Sequence, residues 1–180
     1  MPLARWFALL LLVTACVAAP PVPDEPPVQG ARPAEMFGGI VCGRGVLTHA
    51  DGSRPRPFAV RSEGRRAGDG LVLHQTIVFE DGETRERRWV LWPNGPARYR
   101  GTLTEASGPV RARVGGKTLT LAYALDGLPL GRMRQRLTLR PDGRVDNQGT
   151  ASIAGLPVRR LTEVIAPSPE GGACPARGRT

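Results

Sequence analysis

The segment Thr118-Leu119-Thr120-Leu121-Ala122-Tyr123-Ala124-Leu125 decides the fold, because large apolar residues alternate along it with small or polar ones. A period of two residues is typical of a β-strand that buries one face. Asp126-Gly127 then marks a hairpin turn, and a second alternating segment follows it. The apolar face of that second segment carries Met133, Gln135, Leu137 and Leu139, and the opposite face carries Arg132, Arg134, Arg136 and Arg140. The two segments therefore predict an antiparallel hairpin with one apolar and one polar face.

The same pattern continues along the chain on both sides of this hairpin. Turn dipeptides such as Asp81-Gly82, Asn94-Gly95 and Gly115-Gly116 separate short alternating segments from Phe37 onward, and only 158–165 also suits a helix. The predicted strands lie at about 37–49, 56–63, 71–80, 84–92, 97–104, 109–114, 117–125, 132–140, 144–153 and 157–165. Because each strand has one apolar face and no helix is predicted to cover it, closing the sheet on itself is the economical arrangement. We predict an all-β fold, an antiparallel up-and-down meander of about 8–10 strands closed into a lipocalin-like barrel, with a β-sandwich as the alternative.

The chain of 180 residues is strongly basic, with a formal net charge of +9 at pH 7. Lys117 is its only lysine, so arginine carries almost all of the positive charge. The arginines are scattered along the strands and are not interleaved with aromatic residues, which argues against nucleic-acid binding. They indicate solvated strand faces or, alternatively, attraction to anionic lipid headgroups or lipopolysaccharide phosphates.

An apolar segment near residue 1 resembles a bacterial lipoprotein signal peptide. Arg5 precedes the apolar residues 6–13, which are too few to span a bilayer and match the core of a signal peptide. The segment ends in Val13-Thr14-Ala15-Cys16, which is similar to a lipobox. The resemblance implies that Cys16 is acylated, becomes the first residue after cleavage and anchors the protein in a membrane. The alternative is an ordinary secretory signal that is cut near Ala18-Ala19.

The residue after the lipobox indicates the membrane in which the lipoprotein is anchored. Val17 stands where an aspartate would retain a lipoprotein in the inner membrane, so the resemblance implies the periplasmic face of the outer membrane.

The predicted parts are a signal peptide at 1–15, the lipidated cysteine with a proline-rich tether at 16–33, a β-barrel domain at 34–167 and a C-terminal tail at 168–180. Proline-rich segments stay extended, so we expect the tether to hold the domain away from the membrane.

Cys42 and Cys174 remain as a pair once Cys16 is assigned to the lipid. In an oxidising compartment an even number of cysteines favours a disulfide, which here would tie the C-terminal tail to the first strand. Closing so long a loop would stabilise the fold by about 4–5 kcal/mol in the chain-entropy model. The alternative is two free thiols, with Cys42 buried.

Four short motifs resemble those of a known family. They are Phe37-Gly38-Gly39, Leu73-His74-Gln75-Thr76-Ile77-Val78-Phe79-Glu80-Asp81-Gly82-Glu83, Arg87-Arg88-Trp89 and Tyr99-Arg100-Gly101. They are similar to the Phe-x-Gly, Leu-x-Glu-x-Phe…Asp-Gly, Arg-x-Trp and Tyr-x-Gly motifs of a family of proteobacterial lipoproteins known as a domain of unknown function. The resemblance implies a lipocalin-like envelope lipoprotein and assigns no reaction. Gln75 replaces the family's acidic residue, and the family's late Asp-Trp-Met cluster is missing from the region that holds Gln135 and Leu137.

The chain lacks the usual sequence signatures of catalysis. His49 and His74 have no Cys, His or carboxylate at the spacing of metal ligands, so we predict no metal site. Glu80, Asp81 and Glu83 crowd one hairpin tip, where they are expected to be solvated. The serine-hydrolase elbow, the zinc-protease helix and the phosphate loop are all missing. We therefore predict that the protein is not an enzyme and has no cofactor, and a hydrolase or isomerase in the barrel mouth is the least favoured alternative.

Six side chains are candidates to line a lumen, with the aliphatic residues of the same strand faces. They are Gln75, Phe79, Arg87, Trp89, Tyr99 and Tyr123. Arg87 or Gln75 would contact a polar headgroup, although the same side chains could equally fill a solid core. The predicted function is that of an outer-membrane-anchored periplasmic lipoprotein that binds or carries a small hydrophobic or amphiphilic ligand such as a lipid. The alternative is a non-enzymatic envelope interaction module or structural module with a solid core.

Overall fold

A computed structural model describes residues 19–169 and 172–174 of the chain. The predicted signal peptide and the predicted acylation site at Cys16 lie outside these described residues. Within them no helix has the length and apolar character needed to cross a membrane.

Ten strands follow one short helix along the chain. The helix is α1 (Pro33–Met36), and the strands are β1 (Gly39–His49), β2 (Arg56–Ala67), β3 (Gly70–Phe79), β4 (Thr84–Pro93), β5 (Arg98–Leu103), β6 (Val110–Gly115), β7 (Thr118–Ala124), β8 (Gly131–Leu139), β9 (Val145–Ile153) and β10 (Leu156–Pro167). The predicted strand bounds agree with these mostly within two residues. The main difference is β2, which continues to Ala67.

The sheet is a closed barrel in which each strand pairs antiparallel with its neighbours in the chain. The first and last strands close it, and their register places Gly45 opposite Glu163 and Leu47 opposite Leu161. This arrangement confirms the predicted all-β up-and-down barrel and rules out the β-sandwich. Closure leaves no strand edge unpaired, which removes the edge that an open meander would expose.

One end of the barrel is closed by the chain that enters β1. Pro33 starts α1, a position where its fixed φ and missing N–H cost nothing. Met36 and Phe37 are buried against the inward residues of the strands, among them Leu71 and Leu91. Gly64 lets the Phe37 carbonyl approach β2, because a Cβ at that position would collide with it. The apolar core is therefore concentrated beneath α1.

The outer face of β7 differs from the expected polar face. Thr118, Thr120 and Ala122 point away from the barrel interior but are 4 %, 0 % and 0 % exposed. They are buried because residues 20–28 lie across this part of the barrel. Thr120 Oγ1 donates to the Pro20 carbonyl at 2.9 Å, and Val28 N donates to the Gly116 carbonyl at 3.0 Å. We call residues 20–28 the strap.

The strap corrects the prediction of an extended tether that holds the domain off a membrane. Gly116 N donates to the Glu25 carbonyl at 3.1 Å, and Arg136 Nη2 donates to the Pro21 carbonyl at 3.3 Å. The strap carbonyls of Pro20, Pro21 and Glu25 accept hydrogen bonds from donors on the barrel surface. Most of the predicted tether is thus part of the folded domain.

The disulfide between Cys42 and Cys174 is present, and the Cα atoms of the two residues are 5.4 Å apart. Cys42 lies on β1, so the bond holds the described end of the C-terminal tail against the outside of the barrel. The two free thiols of the alternative are therefore excluded.

Candidate functional site

The barrel is hollow toward the end opposite α1. Its cavity has a volume of about 290 Å³ and extends from Phe37 and Leu71 at the closed end to Arg85, Asp126 and Arg159 at the open end. We call the open end the mouth. The mouth is formed by the hairpin loops 50–55, 80–83, 104–109, 125–130 and 154–155. The volume lies near the lower bound of small-molecule pockets, which is roughly 300 Å³.

Exposed leucines surround part of the mouth. Leu128, Leu130 and Leu156 are 37 %, 66 % and 72 % exposed, and Ala154 N donates to the Leu130 carbonyl at 3.2 Å, which joins their two loops. Leu130 also has a positive φ of 58°, a conformation that costs a leucine about 1 kcal/mol or more. The mouth therefore presents apolar side chains to solvent on a strained loop.

The cavity wall contains three groups of polar side chains, and the first lies between β2, β3 and β4. Trp89 Nε1 donates to Gln75 Oε1 at 2.6 Å, and Gln75 Nε2 donates to Ser62 Oγ at 3.0 Å. The register of these strands brings the three residues together, since Gln75 pairs with Ser62 and Trp89 pairs with Leu73, two residues before Gln75 on the same face. The oxygen and the nitrogen of the Gln75 side-chain amide are thus both hydrogen-bonded to residues of the wall.

The second group joins β4 to β7 through the loop after β5. Arg87 Nε lies 2.6 Å from Glu105 Oε2, and the Tyr123 hydroxyl donates to Glu105 Oε1 at 3.4 Å. Burial of Tyr123, together with the nearby Glu105 carboxylate, raises the pKa of its hydroxyl. The Tyr123 ring also meets Trp89 edge-on, with ring centroids 6.0 Å apart. Glu105 neutralises Arg87, so Arg87 is not a free cation in the lumen.

The third group lies on β8, β9 and β10. Asn147 Nδ2 donates to Glu163 Oε2 at 2.9 Å, and Gln135 Nε2 is 3.5 Å from Asn147 Oδ1. Burial raises the pKa of Glu163, and the hydrogen bond from Asn147 and the charge of Arg87 oppose this shift. Gly43 and Gly45 on β1 leave room for the Glu163 side chain, because a Cβ at Gly43 would collide with Glu163 Oε1.

The structure brings together most of the residues that the sequence analysis proposed for the lumen. Gln75, Phe79, Arg87, Trp89 and Tyr123 all line the cavity. Tyr99 does not line it, because the β5 residue lies near the closed end, where its ring is buried in the core and its hydroxyl accepts from Arg32 Nη1 at 3.4 Å. The choice of Tyr99 was therefore wrong, since strand parity identifies an inward side chain but not its depth.

Several polar residues of the cavity were not proposed from the sequence, among them Glu105, Gln135, Asn147 and Glu163. Glu163 alternates with Leu161 and Ile165 on the inward face of β10, and Gln135 lies between Met133 and Leu137 on β8. A polar residue on an otherwise apolar strand face is the signal that could have found them. Glu105 lies in a loop, and no sequence pattern pointed to it.

The arrangement is suited to binding an amphiphile. Apolar side chains such as Phe58 and Ile77 share the wall with the three polar groups. His49 and His74 do not line the cavity. Among residues 19–169 and 172–174, no group of three or more His, Cys, Asp or Glu side chains could hold a metal ion.

Solved structures share this fold at low sequence identity. The S-type phycobiliprotein lyase CPES of Guillardia theta superimposes with a TM-score of 0.58 and 8 % identity, over 76 % of this chain and 90 % of that chain. The protein Rv2717c of M. tuberculosis superimposes with a TM-score of 0.59 and 16 % identity, over 79 % of this chain and 99 % of that chain. At such identities the likeness shows the fold alone.

Sequence comparison finds one family. No curated protein sequence matches the chain. The family model described as "Protein of unknown function (DUF3833)" matches residues 10–148, which is more than half of the chain.

Proposed function

Because this chain belongs to the DUF3833 family, whose description assigns no function, we propose one from the barrel itself: the protein binds or carries a small hydrophobic or amphiphilic ligand, such as a lipid, in its lumen. The observation that carries the proposal is the cavity of about 290 Å³, which is open at the mouth and lined by both apolar and hydrogen-bonding side chains. A barrel with a solid core would leave neither an opening nor buried polar groups facing empty space.

The exposed leucines at the mouth support the proposal. Leu130 and Leu156 are the most exposed large apolar side chains of the described residues. Exposed apolar side chains grouped at one place mark sites of contact with ligands, membranes or partners. Next to the opening of an apolar cavity, they suit the transfer of an amphiphile between a membrane and the lumen.

We further propose that Cys16 carries the lipid anchor and that the protein faces the periplasm from the outer membrane. The lipobox-like sequence before Cys16 supports this location. Three residues lie between Cys16 and Pro20, the first residue of the strap, and an extended chain spans at most about 3.6 Å per residue. The anchor would therefore hold the outer face of β6–β8 close to the membrane.

Native mass spectrometry of the protein, exported to a bacterial periplasm and purified without detergent, tests ligand binding. A reproducible adduct that denaturation releases as one lipid class is expected. Ala151→Trp should abolish the adduct, because Ala151 lines the cavity. Thr150→Trp, one residue earlier and on the opposite strand face, is the matched control and should retain it. A bare mass for the unsubstituted protein would contradict the proposal.

A second candidate function is contact between the basic outer face and an anionic envelope component, without a ligand in the lumen. The register of β5 and β6 places Arg98 directly opposite Arg113. Like charges at directly opposed positions destabilise a sheet, so this pair suggests selection for an anionic partner. Salt-dependent binding to phosphate-bearing vesicles, weakened when Arg98 and Arg113 are both replaced by Gln, would favour this function.

The prediction that the protein is not an enzyme stays a prediction. One protein of the same fold is named a lyase, and a fold alone does not decide a reaction.

A further inference from the structure

We propose that the lumen selects amphiphiles whose head group donates hydrogen bonds, such as primary amines and alcohols, over amphiphiles with a carboxylate head. The inference rests on the proposed ligand-binding function and names the chemical class of the ligand. It is carried by the third polar group of the cavity wall, Gln135, Asn147 and Glu163.

The hydrogen bonds of this group run in one direction. Glu163 Oε2 accepts from Asn147 Nδ2 at 2.9 Å, so the carbonyl oxygen of Asn147 must face Gln135. The Gln135 amide then turns its Nε2 toward Asn147 Oδ1 at 3.5 Å and its Oε1 away from it. Among the described residues, Gln135 Oε1 is buried and has no hydrogen-bond partner. The chain of hydrogen bonds thus ends on an acceptor that requires a donor.

The Glu163 carboxyl group is a second acceptor at the same place. Its hydrogen bond comes from the neutral amide of Asn147 and not from an arginine. Gly43 and Gly45 form the wall behind it, and side chains there would displace it. A buried carboxyl group is stabilised most by a partner that donates hydrogen bonds or carries positive charge. An amine or a hydroxyl group meets this requirement, and a second carboxylate does not.

Four arginines line the cavity, and none is placed to serve a carboxylate at the depth of Glu163. Arg159 and Arg160 are the fourth and fifth residues of β10 and lie nearer the mouth than Glu163 does. Arg87 is paired with Glu105. Arg85 is the second residue of β4 from the mouth, contacts Glu83 and lies over the Phe79 ring at 5.2 Å. An anionic head would therefore have to stay at the mouth. Its hydrocarbon tail would then cover Gln135 and Glu163 and leave their polar atoms buried without donors.

A ligand with its donor head group deep in the cavity and its tail toward the mouth finds hydrogen-bond acceptors for the head and apolar side chains for the tail. With the head at Glu163, the eighth residue of β10, the tail points toward the mouth along Phe58 and Ile77. A water-sized group occupies about 30 Å³ in a liquid, so the cavity of about 290 Å³ holds roughly ten such groups. Ten-carbon probes therefore fit the space closely.

The test is isothermal titration calorimetry of the protein, as a bacterial host processes it, with decylamine, 1-decanol and decanoate at pH 7. Decylamine and decanol are expected to bind at least ten times more tightly than decanoate. Glu163→Gln should weaken decylamine at least tenfold and spare decanol, because the amide keeps an acceptor but cannot become the carboxylate that would pair with a bound ammonium group. Glu35→Gln, which removes the same charge from the exposed side of α1 at the closed end, away from the mouth, is the matched control and should change none of the affinities.

Equal or tighter binding of decanoate to the unsubstituted protein would overturn the inference and leave the ligand-binding function in place. If none of the three probes binds, the proposed function itself fails. Gln135→Leu, which removes the unpartnered acceptor without adding charge, is the second variant and should weaken decanol several-fold. Thermal unfolding of each variant shows whether that variant is folded. If Glu163→Gln does not fold, the order of affinities of the three probes for the unsubstituted protein still decides the inference.

Discussion

The buried carboxyl group of Glu163 makes the stability of this protein depend on pH in an unusual direction. Its pKa is raised in the folded state, chiefly by burial, so the folded protein holds this proton more tightly than the unfolded chain does. The free energy of unfolding must then fall as the pH rises above the ordinary glutamate value of about 4.3, and it keeps falling until the pH exceeds the folded-state pKa. The slope from this one group can reach about 1.4 kcal/mol per pH unit.

Glu163→Gln removes the titrating group and keeps an acceptor for Asn147, so we expect the variant to lose this slope. Urea unfolding at pH 5, 6, 7 and 8, followed by the fluorescence of the buried Trp89, measures both proteins. Asp81 and Glu83 have pKa values lowered by backbone and arginine hydrogen bonds, and stability from such groups is lost only toward lower pH, outside this range. Parallel pH profiles for the variant and the unsubstituted protein would refute the reasoning, because Glu163 would then ionise equally in both states.

Three further outcomes are expected. Replacing Cys42 and Cys174 by Ala together should lower the free energy of unfolding by up to about 5 kcal/mol, since the bond closes a loop with a sequence separation of 132; an unchanged denaturation midpoint would contradict this. Leu71→Ala at the closed end of the cavity should cost about 2.7–5 kcal/mol in urea unfolding, because Leu71 is only 1 % exposed, and a smaller cost would mean that the core beneath α1 is loosely packed. Gly115→Val should release the strap, because a Cβ there would collide with the Pro23 carbonyl, and proteolysis should then cut within residues 20–28 while the barrel remains intact.

Strand positions and faces were predictable because they depend on neighbours along the chain. The alternation in 118–125 and 132–140 requires only that each β-strand turns successive side chains to opposite sides. Glycine and asparagine in the turns mark where each strand must end. The closed barrel then followed from ten one-sided strands with no helix to cover them.

The strap shows what local patterns miss. Proline-rich segments are extended whether they are free or bound, so Pro20 and its neighbours looked like a tether. Their place on the barrel depends on small outward residues such as Thr120 and Ala122, which leave a shallow surface that a second chain can cover. That fit involves residues about 100 positions apart in the chain.

The lumen was only partly predictable for a similar reason. Parity correctly turned Gln75, Trp89 and Tyr123 inward, but it could not tell the hollow end of the barrel from the packed end, where Tyr99 lies. Glu105 reaches the cavity from a loop, which has no period.

The amino-acid order alone therefore settled the strands, their inward faces, the turns and the candidate cysteine pair, because each of these follows from local geometry and chemistry. Tertiary structure alone decided that α1 closes one end, that the strap covers β7 and that Glu163 lies buried beside two glycines with an unpartnered acceptor nearby. The depth of a side chain, its burial and its hydrogen-bond partners depend on which distant segments come into contact when ten strands close into a barrel. Local sequence patterns do not show which segments those are.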